Sequence, residues 1–260
     1  MTKKVASAAR NDKQLTIKKQ IFVLMLQKIL LYVNIFIRSE IFMKIVDLEN
    51  WNRKSHYELF NSYLQPCFRV DIRLDVTKLV KNREKYGGFF IPFTYLLMRA
   101  LNNCEGTKIR EVDGKLVVFD KVHPSFTVNL DDGNFAFCRC EYVDDFSAFK
   151  KSCREEIERA KKLAISGDKD YFTTNDRADL VYLSCLPWID FLSVENPLPL
   201  GDKLSMSIPR LNWGKFVETE KGFEVTLSTT VNHAYIDGRE LSSMLNEIKL
   251  SLENIDKILG

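Results

Sequence analysis

The stretch Phe223-Glu224-Val225-Thr226-Leu227-Ser228-Thr229-Thr230-Val231-Asn232-His233-Ala234-Tyr235-Ile236-Asp237-Gly238 decides how the rest of the chain is read. Phe223, Val225, Leu227, Thr229 and Val231 alternate with the residues between them, the period of a strand with one face buried. Beyond the glycine, Leu241, Met244, Leu245 and Ile248 fall on one face of a helix predicted over Arg239 to Leu252. A histidine at a strand end can be held rigidly while its ring faces a cleft. An aspartate four residues on, followed by glycine, suggests a tight turn whose carboxylate folds back toward the histidine loop. The plainer reading of the same residues is a satisfied histidine beside an ordinary Asp-Gly turn.

Working outward, mixed α and β patterns cover the chain from Met43. Asp47-Leu48-Glu49-Asn50 precedes a helix predicted from about Trp51 to Tyr63, with acidic residues near its start as the helix dipole prefers. Asp75 to Lys85 and Pro92 to Asn103 read as helices; Phe93, Leu96, Leu97 and Ala100 line one side of the second. A meander follows over Lys115 to Phe119, Ser125 to Leu130 and Asn134 to Tyr142, with turn signals at Asp113-Gly114 and Asp131-Asp132-Gly133. Asp144 to Leu163 is a charged amphipathic helix. Leu180 to Leu186, Trp188 to Val194, Lys203 to Phe216 and Phe223 to Val231 read as strands.

The 260 residues are 45% hydrophobic and 28% charged, with 7 Pro and 11 Gly. That excludes a disordered tail and a fibrous protein and argues against a polytopic membrane protein. Residues 1–42 carry eight Lys or Arg against two acidic residues, a net of +6, which leaves the remainder of a +3 chain at −3. A slightly acidic body is poorly suited to a nucleic-acid backbone, so no nucleic-acid partner is expected. Within the first 42 residues, Ile21 to Ile37 holds fourteen apolar residues in seventeen, interrupted by Gln27, Lys28 and Asn34. Three readings compete for this extension: an upstream stretch outside the working protein, with Met43 as the real start; an added packed helix; or a membrane anchor just short of spanning length. The domain expected to work is 43–260.

Cys67, Cys104, Cys138, Cys140, Cys153 and Cys185 form no disulfide framework, and there is no CxxC pair. Cys138 and Cys140 share a strand face as small apolar side chains. No metal site is expected, and the reducing cytoplasm is the expected compartment. His56 lies in a helix-like run and His123 in a turn context before Pro124. Gly87-Gly88 is a plain turn, and no phosphate loop, GxSxG or HExxH is present.

His233-Ala234-Tyr235-Ile236-Asp237-Gly238 resembles the HHxxxDG signature of the chloramphenicol acetyltransferase family. Three further motifs occur in the right order. Trp51-Asn52-Arg53-Lys54-Ser55-His56 resembles the N-terminal helix of the family. Asp113 to Asp120 with Pro124 to Val128 resembles its central hairpin. Leu183-Ser184-Cys185-Leu186-Pro187-Trp188 resembles its serine-bearing strand. The resemblance runs from about Met43 to Leu252. It implies an α+β fold, a mixed sheet with helices packed on one side in a two-layer sandwich. It also implies an acetyl-CoA-dependent O-acetyltransferase, working as a homotrimer with active sites between subunits and no metal, on a small-molecule alcohol for which chloramphenicol is the first choice.

By the same resemblance His233 is the general base, with its other ring nitrogen bonded to a backbone carbonyl, and Ser184 donates to the tetrahedral oxyanion. Asp237 pairs with Arg53. Phe60, Phe68, Phe135 and Asn212 are the implied acceptor-binding residues, and Lys215, Phe216 and Trp188 the implied cosubstrate-binding ones. The sequence departs from the family pattern at several points. Asn232 replaces the first histidine of the signature, so packing behind His233 must differ. Phe60 replaces a tyrosine, Asn212 a threonine and Phe216 a tyrosine, and a second CoA-contacting lysine is replaced near Phe89. Two alternatives follow: acetylation of another hydroxylated small molecule, or a catalytically silent trimeric binding protein.

Overall fold

The alternating stretch becomes β10 (Gly222–Asn232), which pairs with three other strands in the larger of two sheets. The computed structural model describes residues 43–166 and 177–260. The readings offered for residues 1–42 lie outside the described residues. The large sheet runs β2 (Cys67–Asp75), β10, β8 (Arg210–Trp213), β7 (Leu180–Cys185), β5 (His123–Asn129) and β6 (Phe135–Arg139), with β9 (Val217–Thr219) on β10. The β5–β7 and β7–β8 pairs are parallel and the others antiparallel, so the sheet is mixed. A second sheet holds β1 (Met43–Ile45), β4 (Lys115–Phe119) and β3 (Ile109–Val112).

Register fixes the two faces, because residues paired across strands share a side. One row across the sheet reads Val70, Thr229, Leu211, Leu183, Phe126, Cys138. The row on the opposite face reads Arg69, Thr230, Arg210, Tyr182, Ser125, Arg139. Helices cover the apolar face. Helix α4 (Phe90–Asn103) lays Phe90 against Phe126 and Phe93 against Trp213, and is buried along most of its length. Helix α7 (Gly238–Glu253) buries Leu241, Met244, Leu245 and Ile248, the residues its periodicity selects, and Arg99 of α4 pairs with its Glu247 at 3.1 Å. Helix α5 (Phe146–Ser166) seals the β6 end with Phe149 and Cys153. This is the two-layer arrangement, with helices on one side, that the resemblance implies.

Several local expectations fail, each for a visible reason. The first helix is shorter: α1 spans Lys54–Asn61, because Asp47 accepts from the Glu49 N–H and the Asn50 amide and closes a turn instead. Strand β2 was not anticipated, although Phe68, Val70, Ile72 and Leu74 alternate with Arg69, Asp71 and Arg73. Its last residue, Asp75, accepts from the Thr77 N–H at 2.8 Å, so the helix predicted over Asp75 to Lys85 becomes α2 (Thr77–Lys81) and α3 (Arg83–Tyr86). The predicted meander is split, because β4 joins the small sheet while β5 and β6 join the large one. Trp188 to Val194 forms no strand; Trp188, Ile189 and Leu192 are exposed in this chain, and residues 186–202 run as an irregular loop. Lys203 to Phe216 is not one strand. Asp202 caps a short helix, α6 (Lys203–Ser207), by accepting from the Ser205 N–H, and β8 starts only after Pro209.

His123 opens β5 rather than sitting in a turn. Its Nδ1 accepts the Tyr142 N–H at 2.9 Å, so the neutral ring is the bonded form. Arg177 holds both Asp179, at 2.8 Å, and Glu141 beside that ring. Burial holds the His123 pKa below its ordinary value of 6.5, outweighing the attraction of Glu141 and Asp179. Burial alone would raise the Asp179 and Glu141 carboxyls, but hydrogen bonds from Arg177 win and hold both below their ordinary values. All three shifts have one sign: the unfolded chain binds protons first, so the stability they give is present near neutrality and lost as the pH falls. The melting temperature is therefore expected to drop as the pH is lowered from 6.5 toward 4. His123→Asn keeps an acceptor for Tyr142 and is expected to flatten the upper part of that slope. An unchanged slope in a pH series of thermal melts would refute the assignment.

Among the described residues no cluster of His, Cys, Asp or Glu is placed to hold a metal ion. No helix there is long and apolar enough to cross a membrane.

Candidate active site

His233 is the first residue past β10. Its N–H donates to the Pro66 carbonyl at 2.9 Å, which ties the strand end to the segment leading into β2. Asn232, buried, closes the turn that follows. Its side-chain oxygen accepts the Ala234 N–H at 2.9 Å, and its backbone carbonyl accepts the N–H groups of Tyr235 and Ile236 at 3.1 and 3.2 Å. This is how the packing behind His233 accommodates an asparagine: a short side chain bonds its own loop.

The imidazole lies flat on Phe60 of α1, with ring centroids 4.0 Å apart and planes 7° apart, and Phe68 of β2 leans on it at 4.7 Å. The ring as a whole is half-buried, but its Nδ1 is fully buried and makes no hydrogen bond among the described residues. The Nδ1-to-carbonyl bond implied by the resemblance is thus absent. Stacking between two aromatic side chains fixes the ring plane instead.

Asp237 folds forward into helix α7 rather than back toward the histidine. Its carboxylate accepts from the N–H groups of Arg239 and Glu240, and Glu240 accepts from the Asp237 N–H, a complete capping box. Arg53 donates to Asp237 at 3.1 Å and lies 3.0 Å from Glu240, so the arginine before α1 is fastened to the start of α7. The Asp237 pKa is held below its ordinary value, first by the Glu240 N–H and then by Arg53. The arrangement clamps together the two helices that flank the histidine loop.

The other implied residues lie elsewhere in the chain. Ser184 of β7 is half-buried on the polar sheet face, paired in register with Asn212 of β8, which is paired with Ser228 of β10. From Ser228 to His233 is five residues, about 16 Å of strand, and two strand spacings separate Ser184 from β10, about 10 Å. His233 also follows Val231 in parity and packs on Phe68, on the face opposite Ser184. One chain therefore does not bring His233 and Ser184 together. Phe135 is 47% exposed at the start of β6, on the sheet edge remote from β10. Lys215 is exposed, and its N–H donates to the Ile189 carbonyl at 2.8 Å. Phe216 packs against Phe89 at 5.1 Å and Phe223 at 5.9 Å. Trp188 is 72% exposed.

One polar residue beside this set escaped sequence reasoning. Asn196, in the 186–202 loop, accepts from the Asn212 amide at 2.6 Å. No motif or period marks it; only the fold brings it to Asn212.

Solved structures share this architecture. A chloramphenicol acetyltransferase superposes with a TM-score of 0.70 at 24% identity, over 81% of this chain and 99% of that one. A probable dihydrolipoamide acetyltransferase from Listeria monocytogenes 4b F2365 gives 0.54 at 15% identity, over 77% of this chain and 89% of that one. The chain thus has the fold of these proteins, a mixed sheet with helices on one side.

More narrowly, it belongs to the chloramphenicol acetyltransferase family, whose model matches residues 41–249. Curated relatives named chloramphenicol acetyltransferase agree. One from Escherichia coli is 30% identical over 207 residues, covering 78% of this chain and 91% of the relative. Another from Clostridium perfringens is 25% identical over 219 residues, covering 83% and 97%. The family is one of acyltransferase enzymes that use acetyl-CoA.

Proposed function

We propose that this chain transfers the acetyl group of acetyl-CoA to a hydroxyl of chloramphenicol, with His233 as general base. The supporting observation is the half-buried imidazole at the end of β10, flat on Phe60, flanked by the tilted ring of Phe68 and without a carboxylate partner among the described residues. With Nδ1 buried, Nε2 takes the proton as the substrate oxygen bonds to the thioester carbonyl carbon. The tetrahedral oxyanion collapses, the carbon–sulfur bond breaks, and the proton passes to the departing thiolate. Acetyl-CoA supplies the activated acyl group. Ser184 donates to the oxyanion.

The separation of His233 and Ser184 within one chain supports a homotrimer whose sites form between subunits, the histidine from one and the serine from its neighbour. Lys215, Phe216 and Trp188 are the residues proposed to meet the cosubstrate. Phe60, Phe68, Phe135 and Asn212 are those proposed for the acceptor.

The replacement of a tyrosine by Phe60, in direct contact with the base, favours one second reading: a different hydroxylated acceptor. The deciding experiment follows thiol release from acetyl-CoA with chloramphenicol and with a panel of other alcohols. Chloramphenicol-dependent release is the expected result. Release with another alcohol but not with chloramphenicol would move the assignment to that acceptor, and no release with any acceptor would remove the enzyme reading.

A further inference from the structure

We infer that Asn196 is a positioning residue of the acyl-transfer site: it fixes the Asn212 amide so that an N–H group, rather than its carbonyl oxygen, is presented beside Ser184. The inference rests on the reading of Ser184 as the oxyanion donor.

Ser184 and Asn212 are register partners on parallel strands, so their side chains stand on the same sheet face about 4.8 Å apart. Asn212 is only 1% exposed, and one of its two Nδ2 protons goes to the Asn196 Oδ1 at 2.6 Å. Its second proton has no partner among the described residues. A primary amide turned by 180° has nearly the same shape but the opposite polarity. Beside a developing oxyanion the N–H end stabilises and the oxygen end repels. In the bond that is formed, the Asn196 oxygen accepts on the nitrogen side and so holds the amide in one of its two orientations.

Asn196 is itself held in place. Its loop is fastened to the edge strand β2 at two points on the N-terminal side of Asn196. Arg73 bonds Asp190 through both nitrogens at 2.7 and 3.1 Å, and Arg69 reaches Glu195 at 3.6 Å. The pairing also suits the departure seen in the sequence. Where a threonine hydroxyl needs no second group to set its polarity, the longer asparagine does, and Asn196 provides it.

The test is a double-mutant cycle read in kcat and KM. Asn196→Ala is expected to lower kcat by about tenfold, less than the loss of a direct oxyanion donor, with KM for acetyl-CoA unchanged. In an Asn212→Thr background the hydroxyl cannot reach position 196, so adding Asn196→Ala is expected to cost less than twofold. Asn196→Leu, similar in shape without the acceptor, reproduces the loss should the alanine variant fold poorly. The inference is overturned if Asn196→Ala and Asn196→Leu both keep kcat within twofold while Ser184→Ala is crippled. It is equally overturned if the position-196 change costs the same in both backgrounds. A fully active Ser184→Ala would instead remove the reading of Ser184 on which the inference stands.

Discussion

Replacing His233 by alanine is expected to lower chloramphenicol-dependent thiol release from acetyl-CoA by ~10²–10⁴-fold, the usual worth of a positioned general base. Imidazole is the one side chain whose ordinary titration lies near neutrality, and neither other His touches the ring in a described contact: His56 is exposed on α1 and His123 opens β5. The loss belongs in kcat, because the ring is in place to accept a proton that moves only in the transition state. The fold should survive. The loop keeps the His233 N–H bond to Pro66, the Asn232 turn and the Arg53 clamp, none of which uses the ring. Circular dichroism and subunit assembly should therefore match the parent chain. A variant that retains a rate within threefold of the parent would end the case for His233 as base.

What the sequence discloses about this site follows from how local each signal is. The strand and helix around His233 are readable because Phe223, Val225, Leu227, Thr229 and Val231 alternate along β10 and Leu241, Met244, Leu245 and Ile248 recur on one helix face, patterns carried by near neighbours. Arg53 could be placed opposite Asp237 only through the resemblance, since 184 residues separate them. Strand β2 carries as clean an alternation as β10. The apolar run Trp188 to Val194 reads as a strand from its aromatic and β-branched content, and content alone does not distinguish a buried face from one left uncovered in a single chain. Asn196 had no local signal of any kind. The stacking of Phe60 on the imidazole and the unbonded Nδ1 likewise depend on the packing of α1 against the end of β10, which no spacing in the sequence encodes.

Mixing two inactive chains is expected to restore activity. His233→Ala and Ser184→Ala chains, unfolded together and refolded at equal amounts, should recover about one quarter of the parent rate, where either alone gives a hundredth or less. The fraction follows from chance assembly in a ring. A working site needs a subunit that kept its histidine beside a neighbour that kept its serine, and each condition is met about half the time. The physical ground is the register of the large sheet. Ser184 sits level with Ser228, five residues short of His233 and on the opposite face, so no side-chain motion within one chain closes the gap. A site built inside a single chain predicts no recovery at all, because every chain in the mixture would carry one defect. Recovery near a quarter, rising and falling with the mixing ratio, separates the two arrangements without reference to which alcohol the enzyme prefers.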